Sequence, residues 1–329
     1  MDTPEDLDRL IQEALAQLGF DADPSSLAHK VKLLNLGLPA EDEFSVICAW
    51  LGQCRLIHKL DQLQAPAASN KTLQVPDLMA VFGDHGAFLV EVKVHAKRTL
   101  SFRPDYMARL TAYATLMGKP LLIAWKFYSM WTLFDVRHMK VAQKNFNITH
   151  SEAMKQSLLG ILVGDVAFKL SPGAGVHLEI AKEELVSVER QSDTNFTEEW
   201  KMRISKVGFT KGGGVPATGL HSETQQILVA WDLEEHETHS DTAISLSYVV
   251  GQEGMQFASM ALFHLLAWER GAKDVNDYRA LLRTPKITKT IDNLPRALDR
   301  ALKEGVVSHI FHLHPNIRPD FMGEADGED

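Results

Sequence analysis

The stretch that decides the fold is VPDLMAVFGDHGAFLVEVK, residues 75–93. Two β-rich apolar runs, Asp77 to Phe82 and Ala87 to Val94, flank Gly83-Asp84-His85-Gly86. Short apolar runs around a Gly/Asp turn predict a β-hairpin. In the second run, alternation places Glu91 and Lys93 on one face with Leu89, while Phe88, Val90, Val92 and Val94 take the other. Strands this rich in Val and Leu are normally buried, and burying a charge is costly unless it is paired or binds a metal.

Register decides whether Asp77 joins this pair. A regular four-residue loop over Gly83 to Gly86 would set Phe82 opposite Ala87 and Asp77 opposite Val92, turning Asp77 away from Glu91. A three- or five-residue connection, or a glycine bulge, moves the pairing by one residue and brings Asp77 onto the Glu91/Lys93 face. The shifted register is the expected one.

Working outward, Glu41 to Leu51 reads as a helix with Phe44, Ile47, Cys48 and Leu51 on its apolar face, ended by Gly52. Cys54 to Lys59 reads as a strand, and the polar stretch Gln62 to Lys71 as a loop. Downstream, Pro104 opens a helix to Met117 with Tyr106, Leu110, Tyr113 and Met117 at helical spacing, and Gly118 closes it. Leu121 to Trp125 is then a buried strand. The order helix, strand, strand, strand, helix, strand makes a mixed α/β unit.

With P-D…E-x-K set across a hairpin in this order of elements, residues 38 to 128 resemble the PD-(D/E)XK nuclease superfamily, which implies a restriction-endonuclease-like αβββαβ core. The resemblance implies a Mg²⁺-dependent DNA nuclease, with Mn²⁺ as a substitute ion. Asp77, Glu91 and the Val92 carbonyl would be the metal ligands. Lys93 would orient the attacking water, and Glu43 would bind a second ion or its water. Arg109-Leu110-Thr111-Ala112-Tyr113 lies where some relatives carry Q-L-x-x-Y, so arginine replaces the glutamine. The chemistry agrees, because hard oxygen ligands holding Mg²⁺ can stabilise a pentacovalent phosphorus, deliver water and support a departing alkoxide. A role in restriction, phage defence or DNA repair follows from the family, and cutting two strands favours a homodimer. The competing reading is a catalytically inactive DNA- or protein-binding module whose acids no longer gather a metal, for which Arg109 in place of glutamine is the sign; the bland reading of Glu91 and Lys93 is a surface ion pair on an edge strand. RNA as the substrate is left open.

The remaining chain divides into an N-terminal helical segment (1–37, helices at Pro4–Leu18 and Ser25–Leu36), the nuclease-like domain (38–145), an α+β middle region (146–255) and a helical C-terminal region (256–329). In the middle region Val176–Ile180, Ile227–Trp231 and Ala243–Val250 read as strands, Ser151–Leu162 as a helix and Lys211–Gly214 as a loop. In the last region, helices at Gln256–Arg270, Val275–Leu282 and Thr290–Glu304 precede a strand at Val306–His312. That is the order of a winged helix, with Lys289, Arg296 and Arg300 on its candidate recognition segment; a solvated charged face is the other reading. His236 with His239, and His312 with His314, lack a third metal ligand, and the acidic stretch Asp232 to Asp241 around the first pair reads as a loop.

The 329 residues are 45% hydrophobic and carry a net charge of −9. No apolar run is long enough for a membrane span, and the start MDTPEDLDRL is acidic where a secretory signal would be basic, so a cytoplasmic protein without membrane partners is expected. Cys48 and Cys54 match neither a disulfide framework nor a zinc pair, and read as reduced thiols. The negative total disfavours a protein that grips nucleic acid with its whole surface, but it is uneven: residues 93–145 hold ten Lys/Arg against two Asp, a local +8. Lys97, Arg98, Arg103 and Arg109 in this segment are the candidate DNA-binding residues.

Overall fold

The protein is described here by a computed structural model covering residues 40–62, 64, 66–190, 196–229, 231–251, 254–270, 282 and 286–322. The expected helices at 4–18 and 25–36, and nearly all of that at 275–282, lie outside the described residues. By compactness the chain divides into one unit of Met1–Gly164, Asn276–Thr284 and Leu313–Asp329, and a second of Asp165–Val275 and Pro285–His312. These limits do not coincide with the sequence divisions at 145 and 255.

In the first unit, helix α1 (40–50) leads into β1 (Cys54–Lys59), β2 (Leu78–Phe82), β3 (Ala87–Val94), β4 (Thr99–Phe102) and α2 (Pro104–Met117). Then follow β5 (Leu121–Phe127), β6 (Met130–Asp135), β7 (Lys140–Ala142), β8 (Asn145–Thr149) and α3 (His150–Lys155). The main sheet runs β1-β2-β3-β5-β6, and a smaller one runs β4-β8-β7. Among the described strands only β3 and β5 pair in parallel, because the α2 crossover lies between them. Pro104 at the first turn and Gly118 in the left-handed region (φ 61°) bound α2 as the sequence predicts. Leu89, Ile123, Trp125 and Phe134 on one sheet face pack with Met107, Leu110 and Ala114 of α2. On the other face, Phe82 meets Phe88, and Phe44 of α1 meets Trp131. Both cysteines are free; burial pushes the Cys54 thiol up to about 11, which leaves it inert.

This mixed α/β arrangement is the restriction-endonuclease-like fold. The expected helix at Ser151–Leu162 is interrupted: α3 stops at Lys155, and Leu159–Val163 form a π-helical turn.

The second unit contains β9 (Val166–Leu170), β10 (Gly175–Arg190), β11 (Phe196–Lys211), β12 (Val215–Ala217), α4 (Ser222–Val229), β13 (Glu234–His239) and β14 (Ala243–Val249). It ends with β15 (Gln256–Phe257), α5 (Ala258–Arg270), α6 (Leu294–Lys303) and β16 (Val307–His312). One sheet runs β12-β11-β10-β14-β13 and another β15-β9-β16. Three expectations change here. The run Ile227–Trp231 is not a strand, since Ile227 and Leu228 are core residues of helix α4. The acidic stretch around His236 and His239 is not a loop but the exposed edge strand β13, whose charges discourage another chain from pairing with it. The winged helix is not confirmed among the described residues: β16 pairs with β9, far upstream, instead of forming a hairpin wing. Among the described residues no helix is long and apolar enough to cross a membrane.

Asp165 is buried and accepts bonds from the Ser259 backbone N–H (2.9 Å) and hydroxyl (2.8 Å), capping the first turn of α5. Burial outweighs these bonds and raises its carboxyl to about 6 from an ordinary 3.8. The folded state therefore holds this proton more tightly than the unfolded chain. Its contribution is most favourable below pH 3.8 and is lost as pH rises to about 6, a change on the order of 3 kcal/mol. Chemical denaturation at pH 5 and pH 7 should show Asp165→Asn reducing the loss of stability between those values.

Candidate nuclease site

The β2–β3 register places Leu78 opposite Val90 and Val81 opposite Ala87, so the connection is five residues, Phe82 to Gly86. Gly83 (φ 47°) and Gly86 (φ 85°) supply the left-handed conformations that let it close. Extending the pairing by one residue sets Asp77 across from Glu91. The shifted register expected from the sequence is the one observed. One hydrogen bond fixes the junction: the Val92 N–H donates to Asp77 Oδ2 at 2.7 Å.

Glu91 is almost fully buried. Its Oε1 accepts from both Lys93 Nζ and the Tyr106 hydroxyl, while Oε2 is buried with no hydrogen-bond partner. Tyr106 reaches Glu91 from the first turn of α2, its ring edge-on to Phe102. Lys93 Nζ lies 5.4 Å from the Tyr106 ring centroid and 5.9 Å from that of Phe102. Burial, then the adjacent Glu91 charge, holds the half-buried Asp77 carboxyl well above its ordinary range, against the pull of Lys93 and the Val92 N–H. Burial opposes the Lys93 charge too, but Glu91, Tyr106 and Asp77 outweigh it and the ammonium is held more firmly than usual. Burial and Glu91 likewise push the Tyr106 phenol upward, so it stays a donor.

An orphaned carboxylate oxygen beside a second carboxylate that burial and its neighbour's charge drive toward protonation is a donor set short of a cation. Asp77 and Glu91 therefore fit a hard divalent ion. Among the described residues no three His, Cys, Asp or Glu side chains converge, so such an ion would draw further ligands from backbone oxygen and water.

Glu43 does not join this group. Its Oε1 accepts from Trp131 Nε1 at 2.9 Å and its Oε2 from Lys126 Nζ at 2.5 Å. The reason is strand alternation: Trp125 lies beside Lys93, but Lys126 lies beside Val94, on the opposite face of the sheet from Glu91. Of the three acids that begin α1, Glu41 is the one whose charge bears on Asp77, and it also pairs with Lys59 at 3.2 Å. Glu41 and Tyr106 are the neighbours that sequence reasoning passed over. A run of three acids does not reveal which one faces the site, and Tyr106 reads simply as a member of an apolar helix stripe.

The basic residues divide as well. Arg109 Nη1 donates to the Asn70 carbonyl at 3.0 Å, and Arg137 is engaged by Asp135 and Asp320. Lys97, Arg98 and Arg103 are exposed between the end of β3 and the start of α2, Arg103 lying 3.8 Å from the Asp105 carboxylate. Arg103 shares with His95, Ser101 and the two Glu91 donors, Lys93 and Tyr106, the walls of a cavity of about 290 Å³.

A P-D leading into one strand and an E-x-K on the next, set across a hairpin and followed by a crossover helix, define a PD-(D/E)XK nuclease domain, a class of metal-dependent enzymes that hydrolyse phosphodiester bonds. More particularly, residues 60–162 match the family model of the archaeal Holliday junction resolvase Hjc. Among solved structures, Hjc of Archaeoglobus fulgidus, a Holliday junction resolvase from an archaeal hyperthermophile, aligns at 23% identity over 29% of this chain and 74% of its own, with a TM-score of 0.25. No curated protein matches the chain significantly.

Two roles for Glu43 make different predictions. With both oxygens engaged by Lys126 and Trp131, Glu43→Gln should lower stability by about 1–3 kcal/mol in thermal unfolding. It should leave Mg²⁺ affinity, measured by calorimetry, unchanged.

Proposed function

We propose that this chain is a metal-dependent DNA endonuclease that acts on branched DNA, cutting phosphodiester bonds with Asp77, Glu91 and Lys93. The observation that carries the reading is the Glu91 carboxylate, held through one oxygen by Lys93 and Tyr106, left with a buried second oxygen that has no hydrogen-bond partner, and set across the hairpin from Asp77. An edge-strand ion pair without chemistry would have no need to bury Glu91 so deeply or to hold a second carboxylate against it. The match of residues 60–162 to a junction-resolvase family supports a four-way junction as the substrate.

In this reading Asp77, Glu91 and the Val92 carbonyl would hold Mg²⁺, with Mn²⁺ as a substitute; when bound, the ion supplies charge stabilisation at the phosphate and lowers the pKa of water. Lys93 orients the attacking water and offsets negative charge on the phosphate oxygens. Tyr106 keeps the Glu91 carboxylate in one orientation, as outer partners of metal-binding carboxylates do. Lys97, Arg98 and Arg103 meet the phosphate backbone flanking the cut, and the exposed acids of β13 limit unselective binding. A cytoplasmic setting in DNA repair or phage defence is compatible with this chemistry.

The test is incubation of the purified chain with a four-way DNA junction, linear duplex, single-stranded DNA and RNA, in Mg²⁺, Mn²⁺ or EDTA. Junction cleavage that depends on the ion is expected, with Lys93→Ala, Asp77→Asn and Glu91→Gln each slower on the order of 100-fold or more. Tyr106→Phe should be slower by about 10-fold and need more Mg²⁺. Cleavage that survives EDTA or the Lys93→Ala change would overturn the mechanism, and equal cutting of linear duplex would overturn the branched-DNA reading.

A further inference from the structure

The row of Glu91 and Lys93 on β3 has a third member. Alternation puts His95 on the same face, two residues beyond Lys93 and four beyond Glu91. Its backbone is fixed from both sides: the His95 N–H donates to the Lys126 carbonyl at 3.1 Å, and the His95 carbonyl accepts from Trp125 Nε1 at 3.0 Å. These bonds carry the β3–β5 pairing one residue past Val94, so the alternation holds through His95. The ring is half-buried, yet among the described residues neither of its nitrogens makes a hydrogen bond.

His95 lines the same cavity as Lys93, Ser101, Arg103 and Tyr106, and its chemistry differs from theirs. The Lys93 ammonium donates to Glu91 and has no lone pair to offer. Tyr106 donates its hydroxyl proton to the same carboxylate. Arg103 is a permanent cation, and the Ser101 hydroxyl, which accepts from Asn145 Nδ2 at 3.1 Å, is a very weak base. Imidazole is the group in this wall able to take a proton near neutral pH. The titratable and charged groups around it are Lys93 and then Glu91 on β3, Arg103 before α2, and Tyr106 on α2. The Lys126 ammonium of β5 is turned to Glu43 on the other sheet face, and His150 of α3 packs on the rings of Trp125 and Phe127.

We propose that His95 is the general base of phosphodiester cleavage, removing the proton from the water that Lys93 orients. This role rests on the nuclease reading, which leaves the proton acceptor without a residue. Same-face neighbours on a strand stand about 7 Å apart, the span of one water bridging two hydrogen-bonding groups. One O–H bond of the water breaks, and its proton passes to a ring nitrogen of His95. The electron pair of that bond stays with the oxygen, which forms the new bond to phosphorus. The P–O bond to the leaving nucleoside oxygen breaks with its electron pair, and that oxygen takes a proton from solvent. The imidazolium returns its proton to solvent, so nothing is oxidised or reduced and no further reactant enters. Lys93 supplies charge and direction, and His95 supplies the lone pair.

Cleavage of a four-way junction by the full chain in Mg²⁺, followed from about pH 5 to 8, should give a kcat/KM that rises with pH along a limb of unit slope. His95→Ala should lose that limb and cut about 100-fold more slowly at neutral pH, and His95→Gln, which keeps the size and polarity of the ring without its basicity, should be as slow. Added imidazole should restore His95→Ala by about 10-fold or more and leave Lys93→Ala unchanged. Two readouts do not depend on turnover. Junction binding in EDTA, measured by fluorescence anisotropy, should be the same for His95→Ala and wild type, and the His95 ring resonance in Mg²⁺ buffer should titrate at the midpoint of the kcat/KM limb. A His95→Ala chain that keeps the limb, that imidazole does not restore, or that loses junction binding would overturn the assignment, as would a ring titrating away from the limb. When the wild type cuts, any of these removes the base alone; a wild type that cuts no substrate removes the nuclease reading and the base with it.

Discussion

The hydrogen bond from the Val92 N–H to Asp77 Oδ2 is the point on which the first unit turns. It ties the start of β2 to the site end of β3 and so fixes a register in which a slip of one residue would send every side chain of β2 to the wrong face. With that register, Leu89, Glu91 and Lys93 form one row, apolar at the core end and charged at the other. The parallel pairing with β5 then lays Ile123 and Trp125 beside Glu91 and Lys93, closing the row from the far side. Helix α2 seals the apolar end with Leu110 and Met107, and its first turn delivers Tyr106 to the charged end.

Buried acids occur on both faces of this sheet, and their surroundings separate structure from chemistry. Glu43 has a donor for each oxygen, so its burial cost is offset within the fold. Glu41 and Asp42 share Lys59. Glu91 differs in keeping one oxygen unsatisfied, and it lies beside a second carboxylate. The basic segment is similarly thinned by folding: Lys126 and Arg137 serve internal acids and Arg109 ties down a turn. The +8 of the linear sequence is therefore not the charge that DNA would meet; three exposed residues next to the site make up the part closest to it.

Local periodicity made β1, the hairpin, α2 and β5 legible in the sequence, because each is bounded by Gly or Pro and each has an unambiguous apolar face. The shifted hairpin register was also legible, since only that pairing lets Asp77 share a face with Glu91. What the sequence hid depended on partners far along the chain. The apolar run at Ile227 is too short to distinguish strand from helix without knowing that Arg296 and Arg300 hold Glu223 beside it. The full extent of β10 and β11 was obscured by bulges that break their alternation. Successive residues of a helix point about 100° apart, so Glu41 and Glu43 could be told apart only once the rotation of α1 against the sheet was known.

The compactness of the site along the chain has a bearing on biogenesis. Asp77, Glu91, Lys93 and Tyr106 lie within about thirty consecutive residues, and the acids of α1 precede them. The crossover that brackets them closes by Phe127, before β9 begins. Short sequence separation lowers the entropic cost of bringing these groups together. Chains grow from the N-terminus, so the carboxylates can be enclosed while much of the second unit is still being translated. The carboxylate pair thus belongs to a sheet that can close before the β10–β11 ribbon has been made.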